Sequence, residues 1–80
     1  MQTDISIKMK GGISGVLTYK SDIASLEITV ENTGDYSRGI LVFVNEINNQ
    51  LTSSDFNKIK SQVLRDLQQW SKQSGQKLCW

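Results

Sequence analysis

The chain has 80 residues, of which 38% are hydrophobic and 21% are charged, and its formal net charge is +1. This length predicts a single domain over residues 1–80, and the composition excludes a wholly disordered chain. The nearly balanced charge excludes both a polybasic nucleic-acid arm and an acidic mimic of nucleic acid.

Membrane and secretion signals are missing from the sequence. No apolar run approaches the ~20 residues that a bilayer-spanning helix needs, and the segment MQTDISIKMK lacks the apolar core of a signal peptide. The single cysteine, Cys79, cannot form a disulfide within the chain, which favours a reducing compartment. These features predict a cytoplasmic protein that does not enter a membrane.

The first part of the chain has the pattern of antiparallel strands. Apolar and polar residues alternate, as in half-buried strands, over three segments: 4–10, 13–20 and 24–31. Gly11 and Gly12 tolerate the positive φ angles of a tight hairpin between the first two segments. In the second segment, Ile13, Leu17 and Tyr19 are predicted to share one face. Gly15 between them predicts a bulge or a close approach by the helix.

Residues 32–44 contain a turn-rich polar segment followed by an apolar segment. Residues 32–39 are rich in turn formers and predict a loop. Residues 40–44 are apolar without alternation, which predicts a fourth strand that is buried on both faces or covered by a partner. If Ile40, Val42 and Val44 all lay on the face away from the helix, they would form an exposed apolar patch.

Residues 51–75 predict one long amphipathic helix. Thr52 suits the N-cap, and Asp55 suits the residue of a capping box that reaches back to it. Gly75 suits a left-handed residue that ends the helix. The apolar side chains of the helix fall on a stripe about 80° wide: Phe56, Ile59, Val63, Leu67 and Trp70.

Together these elements predict an α+β fold in which a four-stranded antiparallel meander packs on the C-terminal helix. Residues 77–80 either add a short fifth strand or fray. Trp70 is assigned to the core, and Trp80 either tucks onto the sheet beside it or is exposed as an anchor for a partner. The strands are predicted to supply these core residues: Leu26, Ile28, Val30 and either Val42 or Phe43.

The residue inventory argues against catalysis. Histidine is absent, which removes the commonest general base and metal ligand. No zinc or calcium ligand spacing occurs. The glycines near residue 12 lack the lysine-serine pair and the following helix of a phosphate-binding loop. Glu27 and Glu31 are interpreted as a solvated strand face. The sequence therefore predicts a protein that is not an enzyme and that uses no cofactor and no metal.

The second half of the chain resembles a known pattern. Residues 38–80 run from a strand through a polar loop and a capped helix to a return strand, and in this they resemble the small immunity proteins of bacterial polymorphic and contact-dependent toxins. The matching residues are Thr52, Asp55, Ile59, Trp70, Gly75, Lys77 and Leu78. This resemblance implies a non-catalytic antidote that binds and blocks one cognate toxin. Because the binding residues of such proteins vary between pairs, it assigns none here.

The first functional hypothesis is a small inhibitor that binds a partner protein. That partner is a bacterial toxin, or a subunit of a host defence complex that a phage-encoded protein blocks. An apolar strand, a polar loop and a terminal aromatic are the features that support it. The residues predicted to bind the partner are Tyr36, Arg38, Ile40, Val42, Val44 and Trp80.

Two alternatives compete with the inhibitor hypothesis. A nucleic-acid-binding module would use the sheet face, where lysines accompany Tyr19 or Tyr36 in the mixture that single-stranded RNA readers use. The cations concerned are Lys8, Lys10, Lys20 and Arg38. A structural subunit of a homo-oligomer, for example a homodimer, would pair two fourth strands edge to edge.

Overall fold

The computed structural model describes residues 3–35, 37–51 and 55–80. They form one five-stranded sheet in the order β1-β2-β3-β4-β5, in which the first four strands are antiparallel and β5 runs parallel to β4. The predicted α+β meander, the long helix and the short fifth strand are confirmed. The elements are β1 Asp4–Lys10, β2 Ser14–Lys20, β3 Ser25–Asn32, β4 Ile40–Val42, a 3-10 turn Val44–Glu46, α1 Ile47–Gln50, α2 Phe56–Ser74 and β5 Leu78–Cys79.

Strand register places the apolar residues of the meander on one face. Leu17 lies opposite Ile28, and Tyr19 lies opposite Leu26. Because directly opposed residues of antiparallel strands point to the same side, these residues form one apolar layer. Helix α2 packs on this layer. The buried core consists of Leu17, Tyr19, Leu26, Ile28, Val30, Ile40, Val42, Ile47, Val63 and Leu67.

The fourth strand is shorter than predicted. It ends at Val42, and the chain then enters the 3-10 turn and α1 rather than a loop. Ile40 and Val42 face the helix and are only 6% and 2% exposed, while Phe43 and Val44 are partly buried against the core. Of the two candidates for the core, Val42 is therefore the buried one. The exposed apolar patch of Ile40, Val42 and Val44 is not formed, because Val42 lies opposite the inward-facing Val30.

Both edges of β4 are occupied. Strand β3 pairs with one edge, and β5 pairs with the other through Ile40 opposite Leu78 and Leu41 opposite Cys79. The prediction that two fourth strands pair edge to edge is therefore wrong for this fold. The edges of the described sheet are β1 and the two-residue β5.

Helix α1 and the 3-10 turn cover the part of β3 that the short β4 does not reach. The Gln50 side-chain amide accepts a hydrogen bond from the Glu27 N–H at 3.0 Å and donates one to the Glu27 carbonyl at 2.7 Å. A Glu46 carboxylate oxygen accepts from the Thr29 N–H at 2.6 Å, and the Phe43 N–H donates to the Thr29 carbonyl at 3.0 Å. Two side chains thus satisfy backbone groups that a longer β4 would otherwise pair.

Gly15 lies at a close approach between two strands. The register is continuous through it, with Met9 opposite on β1 and Val30 opposite on β3, so there is no bulge. A Cβ at this position would overlap the backbone carbonyl of Lys8 and lie 2.8 Å from the Met9 Cα. The neighbour that requires a glycine here is β1 and not the helix, which corrects that alternative.

Helix α2 ends as predicted, at Gly75 with a left-handed φ of 75°. At its start, Asp55 is itself the N-cap residue, and its carbonyl accepts from the Ile59 N–H at 2.9 Å. Thr52, the predicted N-cap, lies outside the described residues. Trp70 is half-buried and lies outside the buried core, so its assignment to the core is wrong. None of the helices in the described residues combines the length and apolarity needed to cross a membrane.

A buried hydroxyl ties β2 to α2. Tyr19 is fully buried and donates to Asp66 Oδ2 at 2.6 Å, while Asp66 Oδ1 accepts from the Gln62 side-chain amide at 2.9 Å. Burial, followed by the hydrogen bond to Asp66, raises the pKa of Tyr19 to about 12. Tyr19 is therefore part of the core and cannot stack on a base, which removes one aromatic from the nucleic-acid alternative.

The raised pKa of Tyr19 predicts a loss of stability in alkali. Tyrosine in the unfolded chain titrates near pH 10, so the contribution of the protonated phenol is complete below that pH. It is lost as the pH rises from about 10 through about 12. An ultraviolet titration of the phenolates should show one late-titrating tyrosine. Tyr19→Phe should remove that group and lower the free energy of unfolding at neutral pH by about 1.5–3 kcal/mol. Ionisation of both wild-type tyrosines together near pH 10 would contradict this assignment.

Candidate partner-binding surface

Three connections meet at one end of the sheet. They are the β1–β2 turn (residues 11–13), the described part of the β3–β4 loop (residues 33–35 and 37–39) and the segment from α2 to β5 (residues 75–77), and we name them together the loop end. The loop end holds an open cavity of about 510 Å³. Its lining residues are Met9, Asn32, Gly34, Asp35, Gly39, Ile40, Gly75, Gln76 and Lys77.

The β3–β4 loop is held in shape by its own hydrogen bonds. The Asp35 carbonyl accepts from the N–H groups of Arg38 at 3.1 Å and Gly39 at 2.8 Å. The Thr33 hydroxyl donates to the Gly39 carbonyl at 2.6 Å. The Ser37 N–H and hydroxyl both donate to Asp35 Oδ1, at 2.8 and 2.7 Å. Because these bonds restrain residues 33–35 and 37–39, this part of the loop has less conformational entropy to lose when a partner binds.

The same bonds decide the charge state of Asp35. The Ser37 hydroxyl, and after it the Ser37 N–H, lower the pKa of the Asp35 carboxyl below its usual value, and the Arg38 guanidinium adds to the effect. Asp35 thus remains a carboxylate at neutral pH and is engaged within the loop. The exposed Arg38 and Lys77 leave the loop end with more positive than negative groups.

Gly39 brings the β3–β4 loop against Lys77, the residue that precedes β5. Its φ is 75°, and a Cβ on it would overlap the Lys77 carbonyl and lie 2.6 Å from the Lys77 Cβ. The next residue, Ile40, donates its N–H to the same Lys77 carbonyl at 2.9 Å. Gly34 has the same φ of 75°, but a Cβ on it would meet no atom within 4 Å. The two glycines therefore share one backbone conformation, and only Gly39 also has a steric need for the missing side chain.

Ile13 is the most exposed large apolar side chain among the described residues, at 70%. The sequence predicts it to face inward with Leu17 and Tyr19, but β2 begins only at Ser14. Ile13 belongs to the turn that follows Gly11 and Gly12, and that glycine pair was the signal in the sequence that could have placed it there. Its carbonyl accepts from the Asn32 N–H at 2.6 Å, so its backbone is fixed while its side chain faces solvent.

Trp80 follows β5 and is 41% exposed. It lines a cleft of about 350 Å³ along the C-terminal half of α2, together with Ser71, Lys72 and Lys77. It is not beside Trp70, which lines a different cleft next to β1, so the exposed alternative agrees with the structure. Lys77 lines both this cleft and the loop-end cavity, so the two openings share one side chain, while Trp80 lies at the end of β5 away from the loop end.

The structure brings together only part of the predicted partner-binding set. Arg38 is exposed in the β3–β4 loop, and Ile40 lines the loop-end cavity although most of its surface is buried. Val42 lies in the core and Val44 in the 3-10 turn, beyond the far end of β4. Tyr36 lies outside the described residues. A partner at this surface would thus contact Arg38 and Trp80, and could reach Val42 only if the core opened.

The uncovered face of the sheet carries mixed charge. Register places Lys10, Ser14 and Glu31 in one row across β1, β2 and β3. Asp4 and Lys20 lie opposite each other at the other end of the face. A phosphate-binding surface needs a clear positive excess, and this face does not have one.

Metal-binding chemistry has no evident location at this surface. Within the part of the chain that the structure describes, no three Cys, Asp or Glu side chains are grouped so that they could hold a metal ion. Cys79 is a half-buried free thiol.

Comparisons with protein-family models, with curated proteins and with solved structures gave no match to this chain. The functional interpretation of this surface therefore rests on the shape of the loop end, its exposed apolar side chains and its positive charge.

Proposed function

We propose that this protein is a small, non-catalytic inhibitor that binds a partner protein through the loop end and Trp80. The observation that carries the proposal is a hydrogen-bonded loop beside the exposed Ile13, with the exposed Trp80 in a cleft that shares Lys77 with the loop-end cavity. Ordered loops lose little entropy on binding, and tryptophan and arginine are the residue types that most often dominate interface energetics.

The charges of this surface indicate the chemistry of the partner. Arg38, Lys72 and Lys77 surround the loop end and the Trp80 cleft, and Asp35 is already bonded within its own loop. An acidic patch next to an apolar pocket would complement this arrangement. The resemblance of residues 38–80 to immunity proteins supports a bacterial toxin as the partner, and a host defence-complex subunit is the near alternative. With one cysteine and no disulfide, a cytoplasmic location is part of the proposal.

The test compares two variants at the surface with one at the opposite end of the sheet. Ile13→Asp and Trp80→Ala alter the proposed surface. Ile23→Asp is the matched control, because Ile23 is 39% exposed in the β2–β3 turn. The tagged proteins are used to capture partners from native lysate at low and high salt. The captured protein is then purified, and its activity is titrated with each variant.

We expect wild type to capture one stoichiometric protein at both salt concentrations and to inhibit it at a one-to-one ratio. Trp80→Ala and Ile13→Asp should each weaken binding at least about tenfold, while Ile23→Asp should bind like wild type. Captured nucleic acid that is released by salt would instead support the nucleic-acid alternative. Equal binding by all three variants would show that the loop end is not the binding surface.

A further inference from the structure

Among the described residues, strand β1 is a long free edge with a partly uncovered apolar side. It extends over the seven residues Asp4–Lys10, and β2 occupies only one of its edges. Ile5, Ile7 and Met9 point toward the helix-covered face but remain half-buried, whereas Leu17 and Tyr19 on β2 are fully buried. The N–H and C=O groups along such an edge can pair with another strand.

We propose that β1 pairs antiparallel with β1 of a second copy of this chain, around a two-fold axis at Ile7. In this register Asp4 lies opposite Lys10 of the second copy, and Lys10 lies opposite its Asp4. Ser6 lies opposite Lys8, and Ile5 lies opposite Met9. The strand is therefore complementary to itself in charge on one face and in apolar character on the other.

The charges favour this register. Within one chain Lys10 lies opposite the neutral Ser14, so its nearest cross-strand anion is supplied by the second copy. A shift that centred the pair on Lys8 would bring two lysines face to face. A shift that centred it on Ser6 would pair Asp4 with Lys8 but leave Lys10 beyond the end of the paired strand, without a cross-strand anion. Edge lysines usually discourage pairing, but here Asp4 is placed to neutralise one of them.

The apolar side of the same register also finds a complementary surface. Met9 of the second copy would lie beside Ile5, which lines a cleft of about 200 Å³ between β1 and α2. Thr3 and the half-buried Trp70 line this cleft as well. A methionine beside a tryptophan gains contact between sulfur and ring. The dimer would thereby cover Ile5, Ile7 and Trp70, which a single chain leaves partly exposed.

Sedimentation velocity over a range of protein concentrations tests the dimer. Wild type should sediment as a dimer at high concentration and dissociate on dilution. Lys10→Asp replaces two attractive contacts per dimer by two repulsive ones and should raise the dissociation constant at least about tenfold. Lys58→Asp on the exposed side of α2 changes the net charge equally and should leave the dimer unchanged.

The reciprocal exchange completes the test. The double variant Asp4→Lys/Lys10→Asp restores opposite charges across the axis and should dimerise again, while circular dichroism verifies that each variant is folded. A wild type that is monomeric at every concentration would overturn the proposal. The same conclusion would follow if folded Lys10→Asp dimerised like wild type, if the double variant stayed monomeric, or if Lys58→Asp dissociated the dimer.

Discussion

Replacing Leu67 by alanine should lower the free energy of unfolding by about 2–5 kcal/mol, the range for deletion of a fully buried leucine side chain. Leu67 is buried at the centre of α2, in the core shared with the sheet. A domain of this length has roughly 4–12 kcal/mol of total stability. The substitution would therefore remove a large fraction of it. Urea denaturation followed by circular dichroism measures the change.

Leu64→Ala is the matched control for this prediction. The substitution is chemically identical and lies in the same helix, but Leu64 is only half-buried and packs at the margin of the core. Its loss should be about 1–2 kcal/mol, because less apolar surface returns to water and little cavity is created. Equal losses for the two variants would mean that α2 does not present the Leu67 side to the sheet.

Gly39→Ala should also destabilise the protein strongly, by about 2–5 kcal/mol. One contribution, of about 1–2 kcal/mol, is the left-handed φ, which an alanine adopts unfavourably. The other, of about 1–3 kcal/mol, is the overlap of its Cβ with the Lys77 carbonyl, because that backbone must move to make room. Moving it also weakens the hydrogen bond from the Ile40 N–H to the Lys77 carbonyl.

Gly34→Ala separates the two contributions. It imposes the same φ of 75° where a Cβ meets open space, so it should cost only the conformational part. The difference between the two variants in thermal or urea unfolding measures how tightly the β3–β4 loop packs on β5. If Gly39→Ala cost no more than Gly34→Ala, β5 would not be held against the loop in solution.

The elements that sequence periodicity predicted correctly are those in which buried side chains recur at regular spacing. Alternation identified the three long strands, and helical spacing identified α2 with Val63 and Leu67 at its centre. Periodicity failed where a single position decides the outcome. Ile13 fits the alternation of β2 but belongs to a turn. Trp70 fits the helical spacing of the apolar stripe, but it lies at the edge of the sheet, where the described residues cover it only partly.

The candidate surface was only partly predictable for a related reason. Arg38 could be placed on a loop from the turn formers around it, and Trp80 could be placed near the end of the sheet. The placement of Lys77 against the β3–β4 loop, with Trp80 at the far end of β5, depends on β5 running parallel to β4, which no local pattern encodes. The pairing of β3 beyond the end of β4 likewise involves a distant side chain, because Gln50 bonds the backbone of Glu27, 23 residues earlier in the chain.

The side chains that complete the β3 edge are synthesised after β3 itself. Glu46 and Gln50 follow their partners Thr29 and Glu27 by 17 and 23 residues along the chain. A nascent chain that has emerged from the ribosome only through β3 therefore carries bare backbone groups along this edge, available to any other strand nearby. These backbone groups are exposed only briefly, because the next two dozen residues to be synthesised include the side chains that bond them. Aggregation through this edge should accordingly be a hazard of truncated translation products rather than of the finished chain.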